Sequence, residues 1–213
     1  MSYSIRWLFF FIGLMFFSLG ISITINVQYL GIHPWDVLSV GLFEKYGFTI
    51  GTWNIICGIL LVFISFILDK SYIKLGTFLN AFLVGIFVDL FLWFDFLPHA
   101  SLTWWVDIVI LLTGIVFMGF GGGMYNAAGV GSGPRDGFML SISDKTGAPI
   151  RRVRIITETS VLIIGWLLGG PVFIFTFLFT FIQSPLFQFF YLKFKMFIDR
   201  TEKATVKKQD ESA

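Results

Sequence analysis

The stretches Gly31-Ile-His-Pro-Trp-Asp36 and Gly131-Ser-Gly-Pro-Arg-Asp136 stand one hundred positions apart and decide how the rest of the chain is read. Asn26, Gly31, Pro34 and Asp36 recur in register as Asn126, Gly131, Pro134 and Asp136. Sliding 26–61 onto 126–161 without a gap gives nine identities in 36 positions. Ordinary residue frequencies would give roughly two or three. Shared hydrophobicity accounts for matched isoleucines but not for Asn, Gly, Pro and Asp in fixed order, so the chain is read as an internal duplication.

Composition sets the medium. Of 213 residues 56% are apolar and 13% charged, and the mean hydropathy is +0.85. These values lie far from a soluble domain and indicate an all-α, polytopic membrane protein. Six stretches reach spanning length: 5–25, 51–68, 75–96, 105–126, 150–170 and 171–192. The apolar N-terminal stretch has no small-x-small cleavage site and is expected to remain as the first span. A single cysteine, Cys57, excludes an intramolecular disulfide and a cysteine-based metal cluster, and reads as a small packing residue. His33 and His99 show no metal-ligand spacing and are expected in loops, so no metal or cofactor is expected. The glycines of Phe120-Gly-Gly-Gly123 lack the Lys-Ser/Thr of a phosphate loop and are expected to serve close helix packing.

Charge orients the spans. With the N-terminus inside, fourteen of fifteen Lys and Arg residues fall on the cytoplasmic side, and Lys45 alone falls outside. Trp35, Trp53, Trp93, Trp104, Trp105 and Trp166 are expected at the outer interface and Trp7 at the inner one. Three spans per copy is an odd number, so the second copy must enter the membrane inverted. The expected architecture is a six-span inverted 3+3 repeat. Repeat 1 covers 1–98, repeat 2 covers 99–195, and 196–213 is expected to be a polar, disordered cytoplasmic tail. Gly85 and Pro185 occupy matching places in the third spans, and Gln183-Ser184-Pro185 is expected to break its helix.

Each motif predicts a short helix, 34–46 and 134–146. Proline suits the first turn, Asp36 or Asp136 can accept from the free N–H groups there, and Gly47 or Gly147 suits the C-terminal cap. Twelve or so residues cover about 18 Å, too little to cross. Two placements follow. In one, Glu44-Lys45 and Asp144-Lys145 lie at the surface and the Pro-Asp ends dip inward, as re-entrant half-helices whose N-termini face each other at the midplane. In the other, both helices lie in the interface and the aspartates are ordinary caps. The first placement makes Asn26, Pro34, Trp35, Asp36, Asn126, Pro134, Arg135 and Asp136 candidate substrate-binding residues. Asn26 and Asn126 also fit as hydrogen-bonding props for the following loop. Arg135, equivalent to Trp35, is either a specificity determinant or a positive-inside charge.

Asp89 and Glu158, ionisable groups within spans, are the candidates for ion or proton coupling. Arg154 stands four residues before Glu158 and could pair with it. Asp89 has no sequence-local partner and is expected to face the interior or an aqueous vestibule.

The pairing of Gly31-Ile-His-Pro-Trp-Asp36 with Gly129-Val-Gly-Ser-Gly-Pro-Arg-Asp136, followed by Gly137 and Arg151-Arg152-Val-Arg154, resembles the bacterial YczE/YyaS/YitT membrane protein group, YczE branch. The resemblance covers nearly the whole chain and implies a multi-pass protein of the bacterial cytoplasmic membrane, without naming a substrate. It also implies that the soluble C-terminal domain of longer YitT-type relatives is not carried here.

The expected function is therefore a small secondary transporter, not an enzyme, with its site between the two half-helices and an unknown small molecule as substrate. The rival is a non-transporting accessory or scaffold protein. The lipid bilayer is the expected partner and nucleic acid is not. A thin six-span bundle leaves room for a homodimer, and both termini are expected in the cytoplasm.

Overall fold

In the computed structural model, which describes residues 3–94, 96–101 and 103–210, with backbone alone for 3, 72, 180 and 202–210, the same series of helices occurs twice. α1 (Tyr3–Asn26), α2 (Pro34–Tyr46), α3 (Ile50–Leu68) and α4 (Leu75–Phe94) are followed by α5 (Trp104–Ala127), α6 (Pro134–Thr146), α7 (Ile150–Leu167) and α8 (Ile174–Asp210). α1 and α5 each have 24 residues, and α2 and α6 each have 13.

The short helices begin and end where proline and glycine predict. Pro34 and Pro134 occupy the first turns. Gly47 and Gly147 close the helices at φ of 75° and 68°, a region that suits glycine. Their N-terminal ends are buried, whereas Glu44, Lys45, Asp144 and Lys145 are exposed.

Among the described residues five helices are long and apolar enough to cross a membrane: α1, α3, α4, α5 and α8. The expected span over 150–170 is not among them. α7 has 18 residues and carries Arg151, Arg152, Arg154 and Glu158, which takes it outside what length and composition alone allow. Leu75, Phe181, Ile67 and Trp93 are among many large apolar side chains left exposed, a surface suited to lipid and not to water. This is a membrane protein. Trp35 departs from the expected interface belt, since it is only 4% exposed.

The long helices pack through glycine. A Cβ on Gly121 would lie 2.5 Å from the Gly13 carbonyl oxygen, and one on Gly20 would lie 2.6 Å from the Gly114 oxygen. Seven residues forward on α1 thus correspond to seven back on α5, so the two helices run antiparallel. Gly119 and Gly123, on another side of α5, meet Leu186 and Phe190 of α8. The glycine run therefore serves close packing, as its sequence suggests.

The halves are interleaved. α2 packs mainly on α7, and α6 on α3. A Cβ on Gly31 would meet the Thr176 backbone nitrogen at 2.6 Å, and one on Gly131 would meet Gly76 and Thr77. Thr77 and Thr176 each accept a backbone N–H from three residues earlier, from Lys74 at 3.3 Å and Phe173 at 3.2 Å. Each motif glycine therefore rests on the capped start of a helix in the other half.

The motif loops are held in the same crossed manner. Arg6 at the start of α1 donates to the Ala128 carbonyl at 2.9 Å, and Lys74 donates to Gly129 at 3.3 Å. Asp107 at the start of α5, fully buried, accepts from the Tyr29 hydroxyl and from the Ser101 backbone N–H at 2.8 Å. That hydrogen bond raises the Tyr29 phenol above its ordinary pKa.

Two further sequence expectations, both about α8, fail. α8 runs through Pro185 without interruption, so Gln183-Ser184-Pro185 does not break the helix; one lost backbone bond does not outweigh the turns on either side. α8 also continues to Asp210, so the stretch expected to be disordered from 196 is helical to that point; 211–213 lie outside the described residues.

Candidate functional site

All eight helices contribute to one cavity of about 150 Å³ between the N-terminal ends of α2 and α6. α2 and its preceding loop supply His33, Trp35 and Ser39. α3 supplies Asn54 and Cys57, α4 Asn80, and α5 Tyr125. α6 supplies Pro134, Arg135, Asp136 and Met139, α7 supplies Arg154 and Glu158, and Gln183 and Ser184 come from α8.

Arg135 is the hub. Its guanidinium donates to Asn54 Oδ1 at 3.0 Å, lies 3.5 Å from Asp36 Oδ1, and sits 5.2 Å from the Trp35 ring centre. Contact over an aromatic face is a favoured arginine geometry. Asp36 is wholly buried behind it, and among the described residues neither carboxylate oxygen meets a donor in good hydrogen-bond geometry. Beside this group Arg154 donates to Asp136 Oδ1 at 3.4 Å. Two Arg–Asp pairs therefore flank the cavity. Arg135 joins Asp36 across the halves, and Arg154 joins Asp136 within the second.

The aspartates do not cap their helices. His33 is the N-cap of α2, its Nδ1 accepting from the Trp35 backbone N–H at 3.3 Å, and Gly133 is the N-cap of α6 with no side-chain bond. The third helical position suits a capping carboxylate only when no stronger partner is in reach. Here each aspartate has an arginine instead.

Of the sequence candidates, Trp35, Pro134, Arg135, Asp136 and Glu158 line the cavity. Pro34 begins α2, buried, and Asp36 lies behind Arg135. The two asparagines are elsewhere. Asn26 donates to the Pro98 carbonyl at 3.2 Å, and Asn126 to Gly122 within its own helix at 3.0 Å. Asp89 is also away from the cavity. It accepts the Gly51 N–H at 2.7 Å and the Thr49 hydroxyl, tying the end of α4 to the start of α3. Arg154, expected beside Glu158, is engaged by Asp136.

Sequence reading missed His33, Asn54, Asn80 and Tyr125 as lining residues. The available signal was a polar side chain inside an apolar span, clear for Asn54 and Asn80. His33 is 8% exposed and packs edge-on against Phe179 with ring centres 5.4 Å apart, not a loop histidine in water. Among the described residues no three His, Cys, Asp or Glu side chains are grouped to hold a metal ion.

Comparison with known proteins places these features in a family. The family described as a family of unknown function (DUF6198) matches residues 4–192. An uncharacterized membrane protein of Bacillus subtilis, YczE, is 39% identical over 168 residues, which is 79% of this chain and 77% of the relative. An uncharacterized Haemophilus influenzae protein is 35% identical over 76% of the chain and 72% of its own length. The B. subtilis protein YyaS is 29% identical over 78% and 83%. No solved structure matches.

Proposed function

We propose, taking as premise that the chain belongs to the DUF6198 family of unknown function and to its YczE branch, that it is a small secondary transporter of the bacterial cytoplasmic membrane. The observation that carries this reading is the cavity at the meeting point of two short helices, one from each half, lined by Arg135, Asp136, Arg154 and Glu158. Charged groups inside a membrane bundle are costly and are retained where they handle a substrate or ion. Irregular backbone at depth survives where it lines a cavity.

Several features support an inverted six-span repeat. The element series recurs, α1 and α5 cross antiparallel at paired glycines, and each half-helix packs on the other half. The motif loops are tethered by Arg6 on one side and Asp107 on the other. The basic tether, Arg6, lies beside the N-terminus, which fits a cytoplasmic N-terminus. α7 fits as the sixth span because Arg154 and Glu158 turn to the cavity while Ile155, Ile156, Ile163 and Ile164 stay exposed on its outer side. A pseudo-two-fold axis in the membrane plane would then pass near Trp35 and Arg135.

The test is single-cysteine labelling at His33, Ser39, Met139 and Ser184 in a Cys57→Ser background, with membrane-impermeant reagent applied to either face. A transporter exposes these positions to one face or the other in turn. Positions closed to both faces, in protein that is folded and inserted, would sink the transport reading and favour an accessory or scaffold role.

A further inference from the structure

Arg135 stands between two demands. Behind it, Asp36 is fully buried, meets no donor in good hydrogen-bond geometry among the described residues, and has this guanidinium at 3.5 Å as its counter-charge. In front of it is the cavity, which Arg135 lines with a side chain still 24% exposed. Arg154, 40% exposed, lines the same cavity. Its Nε has no acceptor among the described residues.

A guanidinium carries five N–H donors in a planar fork matched to oxyanions. In the hydrogen bonds described, Arg135 gives one to Asn54 and Arg154 gives one to Asp136. Two forks with spare donors, at a point where two helix N-termini converge, form a receptor for a small oxyanion.

An oxyanion that draws Arg135 forward removes the counter-charge of Asp36. The groups around Asp36 offer no substitute. From α6 there is Asp136, already paired. From α7 there are Arg154, paired with Asp136, and Glu158. α3 presents the Cys57 thiol and no charged residue, and α5 presents the Tyr125 phenol. α8 presents Gln183 and Ser184, and the preceding turn presents His33, whose Nδ1 already accepts a backbone N–H. A dry carboxylate without a cation is far costlier than the neutral acid.

We propose that the cavity binds a small oxyanion, a carboxylate or a phosphate, on Arg135 and Arg154, and that Asp36 takes one proton from water as it does so. One anion and one proton enter together, no covalent bond of the anion is made or broken, and for a monoanion, a carboxylate or dihydrogen phosphate, the pair adds no net charge. The proposal deepens the transport reading and rests on it for the role of the cavity, but binding is measurable without transport.

The experiment is thermal unfolding of the purified full chain in detergent with sodium acetate, sodium phosphate or tetramethylammonium chloride, in mildly acidic and mildly alkaline buffer. Acetate or phosphate should raise the melting temperature, and which of them does so identifies the oxyanion. Affinity should fall with rising pH, by up to about ten-fold per unit for one coupled proton. Asp36→Asn, which mimics the protonated acid, should bind the same anion at both pH values. Where that variant does not fold, wild-type protein in weak buffer should take up one proton per anion bound. The proposal is overturned by stabilisation with tetramethylammonium alone, by no response to either anion, by an Asp36→Asn variant that keeps the wild-type pH dependence, or by anion binding without proton uptake. Anion binding in a protein whose cavity residues never become accessible from both faces would sink transport and leave the anion site standing. Two-faced access without anion binding would do the reverse.

Discussion

The Arg135 guanidinium lies 5.2 Å from the centre of the Trp35 ring, and the two residues hold the same place in the two copies of the motif. Equivalent positions of a duplicated chain meet face to face, with unlike side chains. A duplication with Trp at both positions would lack a cation for Asp36, and one with Arg at both would set two guanidinium groups against each other. The difference between the copies supplies a cation and an aromatic face from a single pair of positions.

Arg135→Gln leaves Asp36 buried without its cation and is expected to destabilise the protein by about 3–5 kcal/mol. Adding Asp36→Asn should recover much of that loss, since the two act as one unit. Unfolding of the single and double variants in detergent measures the coupling. Losses that simply add would show that the 3.5 Å pair contributes nothing.

Glycines of two kinds should respond differently. Gly121→Val would force a Cβ against the Gly13 carbonyl oxygen 2.5 Å away, and is expected to separate α1 from α5 and to cost at least the roughly 1–3 kcal/mol of ordinary overpacking. Gly147→Ala meets nothing within 4 Å but must hold φ at 68°, a cost of about 1–2 kcal/mol. A Gly121→Val variant that melts like the wild type would contradict the crossing described here.

Tyr29→Phe removes a hydroxyl donor to the buried Asp107 carboxylate and should lower the melting temperature of the protein. Because Tyr29 lies in the loop leading to α2, limited proteolysis should report a looser loop in the variant. An unchanged cleavage pattern together with unchanged stability would remove Asp107 as the anchor.

Cysteine at Lys45 and at Lys145, each in the Cys57→Ser background, should be labelled from opposite sides of the membrane. Labelling from the same side would end the inverted arrangement proposed above, whatever the fate of the cavity.

Punctuation was the most legible part of the sequence. Pro34, Gly47, Pro134 and Gly147 set both short helices to the residue, because proline and glycine act through the local backbone. The meeting of Trp35 with Arg135 was partly legible, since a duplication brings its two motifs into one site. The capping role assigned to Asp36 was not legible. A cap is a local bond, and the cation that prevails over it lies 99 positions away in sequence. The ties of Asp89 were not legible for a similar reason, because its donors Gly51 and Thr49 belong to the start of a neighbouring helix. Asn80 and Tyr125 join the cavity through α4 and α5, whose facing sides follow from glycine contacts that hydropathy does not record.

The crossed packing of the short helices has a consequence for synthesis. α2 rests mainly on α7, which leaves the ribosome more than one hundred residues later. At the usual rate of chain elongation that is a wait of roughly 5 to 20 seconds. During it the first half is in the membrane with Pro34 and Asp36 lacking both Arg135 and the wall that will cover them. Either half made alone would keep that unfinished surface, and so is expected to attract quality-control proteases or seek the missing half as a separate chain.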